Sequence, residues 1–188
     1  MARLKTLQEI YEPWSSVGVG HGDKGTNHGY IGEYERLLTP YREKPVNMLE
    51  VGLALGQSLE MWHEFFHHPD ARIYGIDKTT AMIAPYLTDE RFTIWITDST
   101  KPAVLGHVGD TKFDVIIDDA SHRPEEQRYT FHWLSPLVRP GGLYVIEDVK
   151  WGKKQVRRGL MRLREGAEVI DRRAITGCNH SVLVVYHF

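Results

Sequence analysis

The strongest constraint on this chain is an alternation of two hydrophobic patterns. Short runs rich in Val, Ile, Phe and Tyr occupy residues 46–51, 72–77, 92–97, 113–118 and 143–147, with helix-like stretches between them. Branched and aromatic side chains suit a pleated strand. Nearly continuous apolar runs such as VIID indicate strands covered on both faces. Residues 58–66 place Leu59, Trp62, Phe65 and Phe66 on one side of a helix. Residues 124–137 open with Pro124, Glu125 and Glu126, which suit a helix N-terminus. Strand–helix alternation predicts an α/β protein, a mostly parallel sheet with helices on both faces.

The two ends extend this plan. Residues 29–42 carry Ile31, Tyr34, Leu37, Leu38 and Tyr41 at helical spacing, after a polar, glycine-containing loop at 21–27. Residues 155–164 place Val156, Leu160 and Leu163 on one stripe among arginines. Runs at 168–174 and 181–188 read as two further strands, making seven. The connection at 175–179 is short enough for a hairpin, so the last strand is predicted to be antiparallel.

A chain of 188 residues, 41% hydrophobic and 26% charged, can bury one core of this kind. The balance excludes disorder, collagen-like repeats and coiled coils. No apolar run reaches the roughly 18 residues of a membrane span, and residues 1–13 lack the apolar centre of a secretory leader. One cysteine, Cys178, cannot form an internal disulfide, which fits a reducing cytoplasm. The net charge of −2 is uneven: residues 150–173 hold nine basic and three acidic side chains, leaving −8 elsewhere. A near-neutral total argues against a general nucleic-acid binder, while the basic segment leaves an anionic substrate or partner open.

The first chemical signal is Glu50-Val-Gly52-Leu-Ala54-Leu-Gly56, a strand end, a tight turn and a helix start. Small residues there let backbone amides approach a ligand at a helix N-terminus. The spacing is G-x-A-x-G, with Gln57 where a dinucleotide fingerprint needs its third glycine. Ala54 is expected to be tolerated because its side chain is small. Asp77 ends the second strand, where a carboxylate can hold ribose hydroxyls, and Asp98 follows the third, where an acid can receive an adenine amino group. Taken singly, each acid also reads as a turn or helix cap. As a set they point to a nucleoside site.

Asp118-Asp119-Ala-Ser-His122 and Glu147-Asp148 follow the fourth and fifth strands. Four carboxylates converging on one sheet edge repel one another, and a divalent cation holds them together. All-oxygen ligation suits Mg²⁺, Mn²⁺ or Ca²⁺ rather than zinc. Neutral imidazole can take a hydroxyl proton near pH 7, so His122 reads as a general base, or as a turn histidine bonded to Asp119.

These motifs resemble class I S-adenosylmethionine-dependent methyltransferases. More narrowly, the chain is similar to the metal-dependent sugar O-methyltransferases of macrocin and mycinamicin type and the cephalosporin hydroxylase-like group. The likeness rests on DKGTNHGYIGEYERLL, LEVGLALGQSLEMW, GIDK, FDVIIDDASHRPEEQ and LVRPGGLYVIEDV, spanning roughly residues 20–150. It implies a Rossmann-like fold in a single domain, with residues 1–45 as a lid and helix region and 46–188 as the cofactor-binding core. It implies that Glu50, Gly52, Gly56, Asp77, Asp98 and Asp118 serve S-adenosyl-L-methionine. It further implies that Asp119, Glu147 and Asp148 hold Mg²⁺ or Mn²⁺, and that His122 is the catalytic base. Lys24 and Tyr30 would belong to the lid.

The resulting expectation is an O-methyltransferase acting on a small-molecule hydroxyl, a sugar or other vicinal diol. A catechol or a nucleotide sugar is the alternative acceptor, and a non-catalytic binding subunit is the alternative role. An NAD-dependent oxidoreductase is disfavoured by the glycine spacing. Neither nucleic acid nor membrane is expected as a partner, and homo-oligomerisation is left open.

Overall fold

The computed structural model describes residues 3–15, 22–79 and 89–188. His21 of the polar loop lies outside these residues. Among the described residues, seven strands form one sheet: β1 (Asn47–Val51), β2 (Arg72–Asp77), β3 (Phe92–Ile96), β4 (Phe113–Asp118), β5 (Val138–Ile146), β6 (Glu168–Asp171) and β7 (Val182–His187). Their order is β3-β2-β1-β4-β5-β7-β6. Neighbours from β3 through β5 run parallel, and β7 runs antiparallel to both β5 and β6. The antiparallel last strand and the mostly parallel, Rossmann-like arrangement are as expected.

Alternation along the strands builds two cores. Met48, Ile73, Val115, Val145 and Leu183 face one side, with Leu7, Tyr34 and Trp62 of α1 (Leu7–Ser15), α2 (Ile31–Leu38) and α3 (Gln57–Phe65). Leu49, Ile116, Tyr144, Ile146 and Val184 face the other. There they meet Val104, Phe131 and Leu160 of α4 (Val104–Val108), α5 (Pro124–Leu134) and α6 (Lys154–Met161). Each buried side chain of this size stabilises by about 1.5–3 kcal/mol, so the cluster on each face fixes the register of the strands beneath it. Among the described residues no helix is long and apolar enough to cross a membrane.

β5, β6 and α1 depart from the sequence expectation for identifiable reasons. β5 begins at Val138 rather than 143, because Val138 pairs with Phe113 before a register shift at Pro-Gly-Gly. β6 stops at Asp171, where Asp171 Oδ1 accepts the Arg173 N–H and turns the chain into α7 (Arg173–Thr176). α1 was not anticipated, although Leu7, Ile10 and Tyr11 have helical spacing and are buried.

Candidate active site

Strand order reverses between β1 and β4, and ligands of open α/β sheets bind outside the carboxyl ends at such a reversal. Val51 pairs with Asp118 and Asp118 with Ile146, so three strand ends stand level. A cavity of about 260 Å³ opens there, lined by Gly52, Asp77, Lys78, Thr97, Ser99 and Ser121 among others. Gly52 is required by position: its φ is +88°, and a Cβ would lie 2.4 Å from the Ala120 Cα. Ala54 has φ +47°. The sequence expectation about Ala54 therefore needs correcting, since its cost lies in a left-handed backbone rather than in side-chain size.

Asp77 shapes this turn. Its Oδ2 accepts the N–H groups of Leu53 (2.8 Å) and Ala54 (3.2 Å), and its Oδ1 accepts Thr79 N–H (2.8 Å). Burial opposes ionisation, but these bonds win and hold its pKa below the ordinary value. Asp98 Oδ1 caps Thr100, and its Oδ2 lies 3.4 Å from Lys78 Nζ, while its neighbours Thr97 and Ser99 line the cavity. Glu50 is fully buried, and its Oε2 accepts Ser58 Oγ (2.6 Å) and Trp62 Nε1 (3.2 Å) from the helix that the turn opens. Asp118 is buried beside Tyr144 Oη (3.4 Å), and burial pushes its carboxyl up to about 8.

Lys24 organises the acidic cluster. Its ammonium donates to Asp119 Oδ2 (2.6 Å) and Glu147 Oε1 (2.7 Å) and lies 3.5 Å from Glu50 Oε1. Burial disfavours this charge, yet Asp119, Glu147 and Glu50 together raise the lysine pKa well above its usual value. Burial and the charge of Asp119 push Glu147 well up, whereas Lys24 overcomes burial to pull Asp119 down. Tyr34 Oη donates to Glu147 Oε1 (2.6 Å), and Tyr30 Oη to Asp148 Oδ1 (2.9 Å).

Asp148 follows Glu147 and shares the His122 imidazole with Asp119. Its φ is +53°, a strained setting for a non-glycine residue. Its Oδ2 lies 3.4 Å from His122 Nε2, and its Oδ1 lies 3.3 Å from His28 Nδ1. His122 is half-exposed, 3.7 Å from Asp119 Oδ1, and its bond to Asp119 raises its pKa against burial. Among the described residues, three side-chain groups have ligand atoms all within 4.8 Å: His28–Cys178–His180, His122–Asp148–His180 and Asp23–His28–Asp148. The Asp119–Glu147–Asp148 set is not one of them.

The methyltransferase-domain family matches residues 49–149. The chain belongs to this methyltransferase family. All ten residues singled out by the sequence as cofactor, metal or catalytic groups lie inside that stretch. The domain is 39% identical over 134 residues to demethylmacrocin O-methyltransferase of Streptomyces fradiae, across 66% of this chain and 33% of that relative. It is 32% identical over 146 residues to a rhamnosyl tetracenomycin-C 2'-O-methyltransferase of Streptomyces olivaceus, across 72% of this chain and 37% of the relative. It superposes on MycE methyltransferase of the mycinamycin pathway, solved with Mg, SAH and mycinamycin VI, at TM-score 0.66 and 33% identity, across 79% of this chain and 38% of that one. The chain spans about a third of the length of the curated relatives it matches. The resemblance to macrocin- and mycinamicin-type enzymes is thus borne out.

Sequence reasoning did not find Tyr34, His28 or His180 as site residues. Tyr34 was legible in part: a tyrosine on the apolar stripe of a helix needs a buried partner for its hydroxyl. His28 and His180 carry no such signal, being 152 residues apart in loops. The basic segment is partly absorbed by structure, through Arg172–Glu33 and Arg173–Asp171 pairs and the burial of Val156 and Leu160.

Proposed function

We propose that this methyltransferase domain transfers a methyl group from S-adenosylmethionine to a hydroxyl of a small molecule, a sugar or other vicinal diol, with the help of a divalent cation. Within it, residues 1–45 form the lid and helix region and 46–188 the cofactor-binding core. What supports this reading most is that Ala120 and Ser121 of the cavity lining lie in the chain between Asp119 and His122, whose Nε2 is 3.7 Å from Asp119 Oδ1 and 3.4 Å from Asp148 Oδ2. The relatives, O-methyltransferases that include one acting on a rhamnosyl tetracenomycin, and the Mg and SAH in MycE support it.

The donor set fits a hard cation. Asp119, Glu147 and Asp148 offer only oxygen, which suits Mg²⁺ or Mn²⁺. Glu50 Oε1 is buried without a hydrogen-bond partner, so the cluster has more donor capacity than one ammonium satisfies. When bound, S-adenosylmethionine supplies an electrophilic methyl group, and the cation lowers the pKa of an acceptor hydroxyl.

The chain's own side chains divide the remaining work. Gly52 and Gly56 keep the turn close to the ligand, Asp77 and Asp98 face the nucleoside, and Asp118 closes the cofactor side. Glu50 acts from behind the cavity, through Lys24. His122 receives the hydroxyl proton, and the carboxylates of Asp119 and Asp148 stabilise the imidazolium that forms. Orientation of two bound reactants supplies much of the rate.

Calorimetric titration with S-adenosylhomocysteine and with NADH, each with and without Mg²⁺, tests the proposal. Binding of S-adenosylhomocysteine and not of NADH is expected. The reverse pattern would replace a methyl-transfer site with a redox one.

A further inference from the structure

The acidic cluster leaves unexplained a group of softer ligands behind it. His28 precedes α2, and Cys178 and His180 lie on the connection before β7. None of the three lies in the family-matched stretch, although His28 borders Asp148 and His180 borders Asp148 and His122. We propose that His28, Cys178 and His180 form a second metal site, one that takes a borderline transition ion such as Zn²⁺ and not Mg²⁺.

The ligand atoms of the three side chains lie near enough to one another, all within 4.8 Å, to close on one ion. Zinc–thiolate bonds of about 2.3 Å and zinc–imidazole bonds of about 2.0–2.1 Å at a tetrahedral angle give an S···N edge of roughly 3.5–3.6 Å. Cys178 Sγ stands 3.6 Å from His180 Nδ1 and 3.5 Å from His180 Nε2, so it faces the ring between its nitrogens, and a rotation of the imidazole would bring one nitrogen onto the shared ion. A ligand atom from His28 completes a set lying within 4.8 Å. The His28 and His180 rings are 5.2 Å apart and tilted by 52°, so they do not stack.

The surroundings orient these ligands. His28 Nδ1 meets Ser181 Oγ at 3.0 Å, and Nε2 meets Asp23 Oδ2 at 3.0 Å. Whichever nitrogen binds an ion, the other keeps a partner that fixes the ring, the usual outer shell of a metal-bound histidine. Thiolate is the ligand form of cysteine. His28 is buried, while Cys178 and His180 are half-exposed, which gives the ion an entry path. Thiolate and imidazole together select zinc-like ions over Mg²⁺. Three protein ligands leave one position open.

Such an ion ties the loop that carries Lys24 and His28 to the connection before β7. Co²⁺ is the probe, because its thiolate complexes absorb in the near-ultraviolet. The metal-free protein is titrated with Co²⁺ and then with Zn²⁺ in competition, in a large excess of Mg²⁺. One equivalent of Co²⁺ with a thiolate charge-transfer band is expected, displaced by Zn²⁺ and unaffected by Mg²⁺. C178S should lose the band, and H180A should weaken Zn²⁺ binding by at least the roughly 10–100-fold seen when outer-shell partners are removed. Far-ultraviolet circular dichroism checks that each variant folds. D119N, altered in the acidic cluster, should keep the band. No band at saturating Co²⁺, a band unchanged in C178S, a band lost in D119N, or displacement by Mg²⁺ would each overturn the site. None of these readouts depends on methyl transfer, so the proposed activity and this site fail separately.

Discussion

Lys24 Nζ lies 2.6 Å from Asp119 Oδ2, a contact that spans 95 residues and plants the N-terminal loop in the acidic cluster at the sheet edge. The same ammonium bonds Glu147 and approaches Glu50, so one positive charge holds three carboxylates of the buried edge. The loop and the core are therefore coupled through electrostatics as well as through the apolar face of α2. A cation brought to Asp119 and Glu147 competes with Lys24 for the same oxygens.

Lys24→Met tests that coupling. Removing one partner of a buried ion pair typically costs about 3–5 kcal/mol, because the other charge stays desolvated. Without divalent ions the variant should melt well below the parent chain. Added Mg²⁺ should raise its melting temperature more than it raises that of the parent, since no ammonium contests the donors. An equal Mg²⁺ shift in both proteins, read by thermal denaturation, would mean that ion and lysine use different oxygens.

His122→Ala should abolish methyl transfer while leaving S-adenosylhomocysteine affinity nearly unchanged. The imidazole meets Asp119 and Asp148 and is not itself among the side chains lining the cavity. General-base removal ordinarily costs about 10²–10⁴-fold. Chelation supplies an independent check: EDTA should silence turnover, and Mg²⁺ or Mn²⁺ should restore it. Turnover in EDTA equal to that in Mg²⁺ would remove the cation from the scheme.

Asp77→Ala should destabilise the domain by about 1–2 kcal/mol, by stranding the Leu53 and Ala54 N–H groups, and should weaken S-adenosylhomocysteine binding. The stability effect depends on pH. The folded-state pKa of Asp77 is depressed, so its contribution is present above the ordinary aspartate value of about 3.9 and is lost as pH falls through the folded-state value. Denaturant melts of both proteins should differ near neutrality and converge toward pH 3. A gap that widens on acidification would show that the carboxylate is not the stabilising form.

Much of this architecture was legible because local and global signals agree. VIID and YVIED mark strands by composition, and the acids that end them must sit at one sheet edge once the strands are parallel. Contacts that arise only from tertiary closure were not legible. Lys24 reaches Glu147 across 123 residues, and no period in the sequence announces it. The acids also illustrate a limit of pattern reading: a strand-end aspartate facing a ligand and one capping a turn have the same sequence, and Asp77 bonds the turn directly. Asp148 differs again, since its position relative to Asp119 depends on a left-handed backbone angle that composition does not encode.

The glycine turn offers a paired test, because two nearby positions have opposite tolerances. Ala54 holds φ +47°, which costs an L-residue roughly 1–2 kcal/mol. Glycine there removes that strain but adds unfolded-state entropy worth about 0.4–1 kcal/mol. Ala54→Gly should therefore be neutral or stabilise by up to about 1 kcal/mol, a rise in Tm of at most roughly 2–4 °C for a chain of this size. Gly52→Ala faces the reverse balance, since its φ is +88° and a Cβ would meet the Ala120 backbone at 2.4 Å. That contact forces apart the two turns that hold Asp77 and Asp119 in place. Gly52→Ala should lower Tm and weaken S-adenosylhomocysteine binding together, whereas Ala54→Gly should leave binding intact. A large loss of stability in Ala54→Gly, measured in the same melts, would show that its methyl group makes contacts that outweigh the backbone strain.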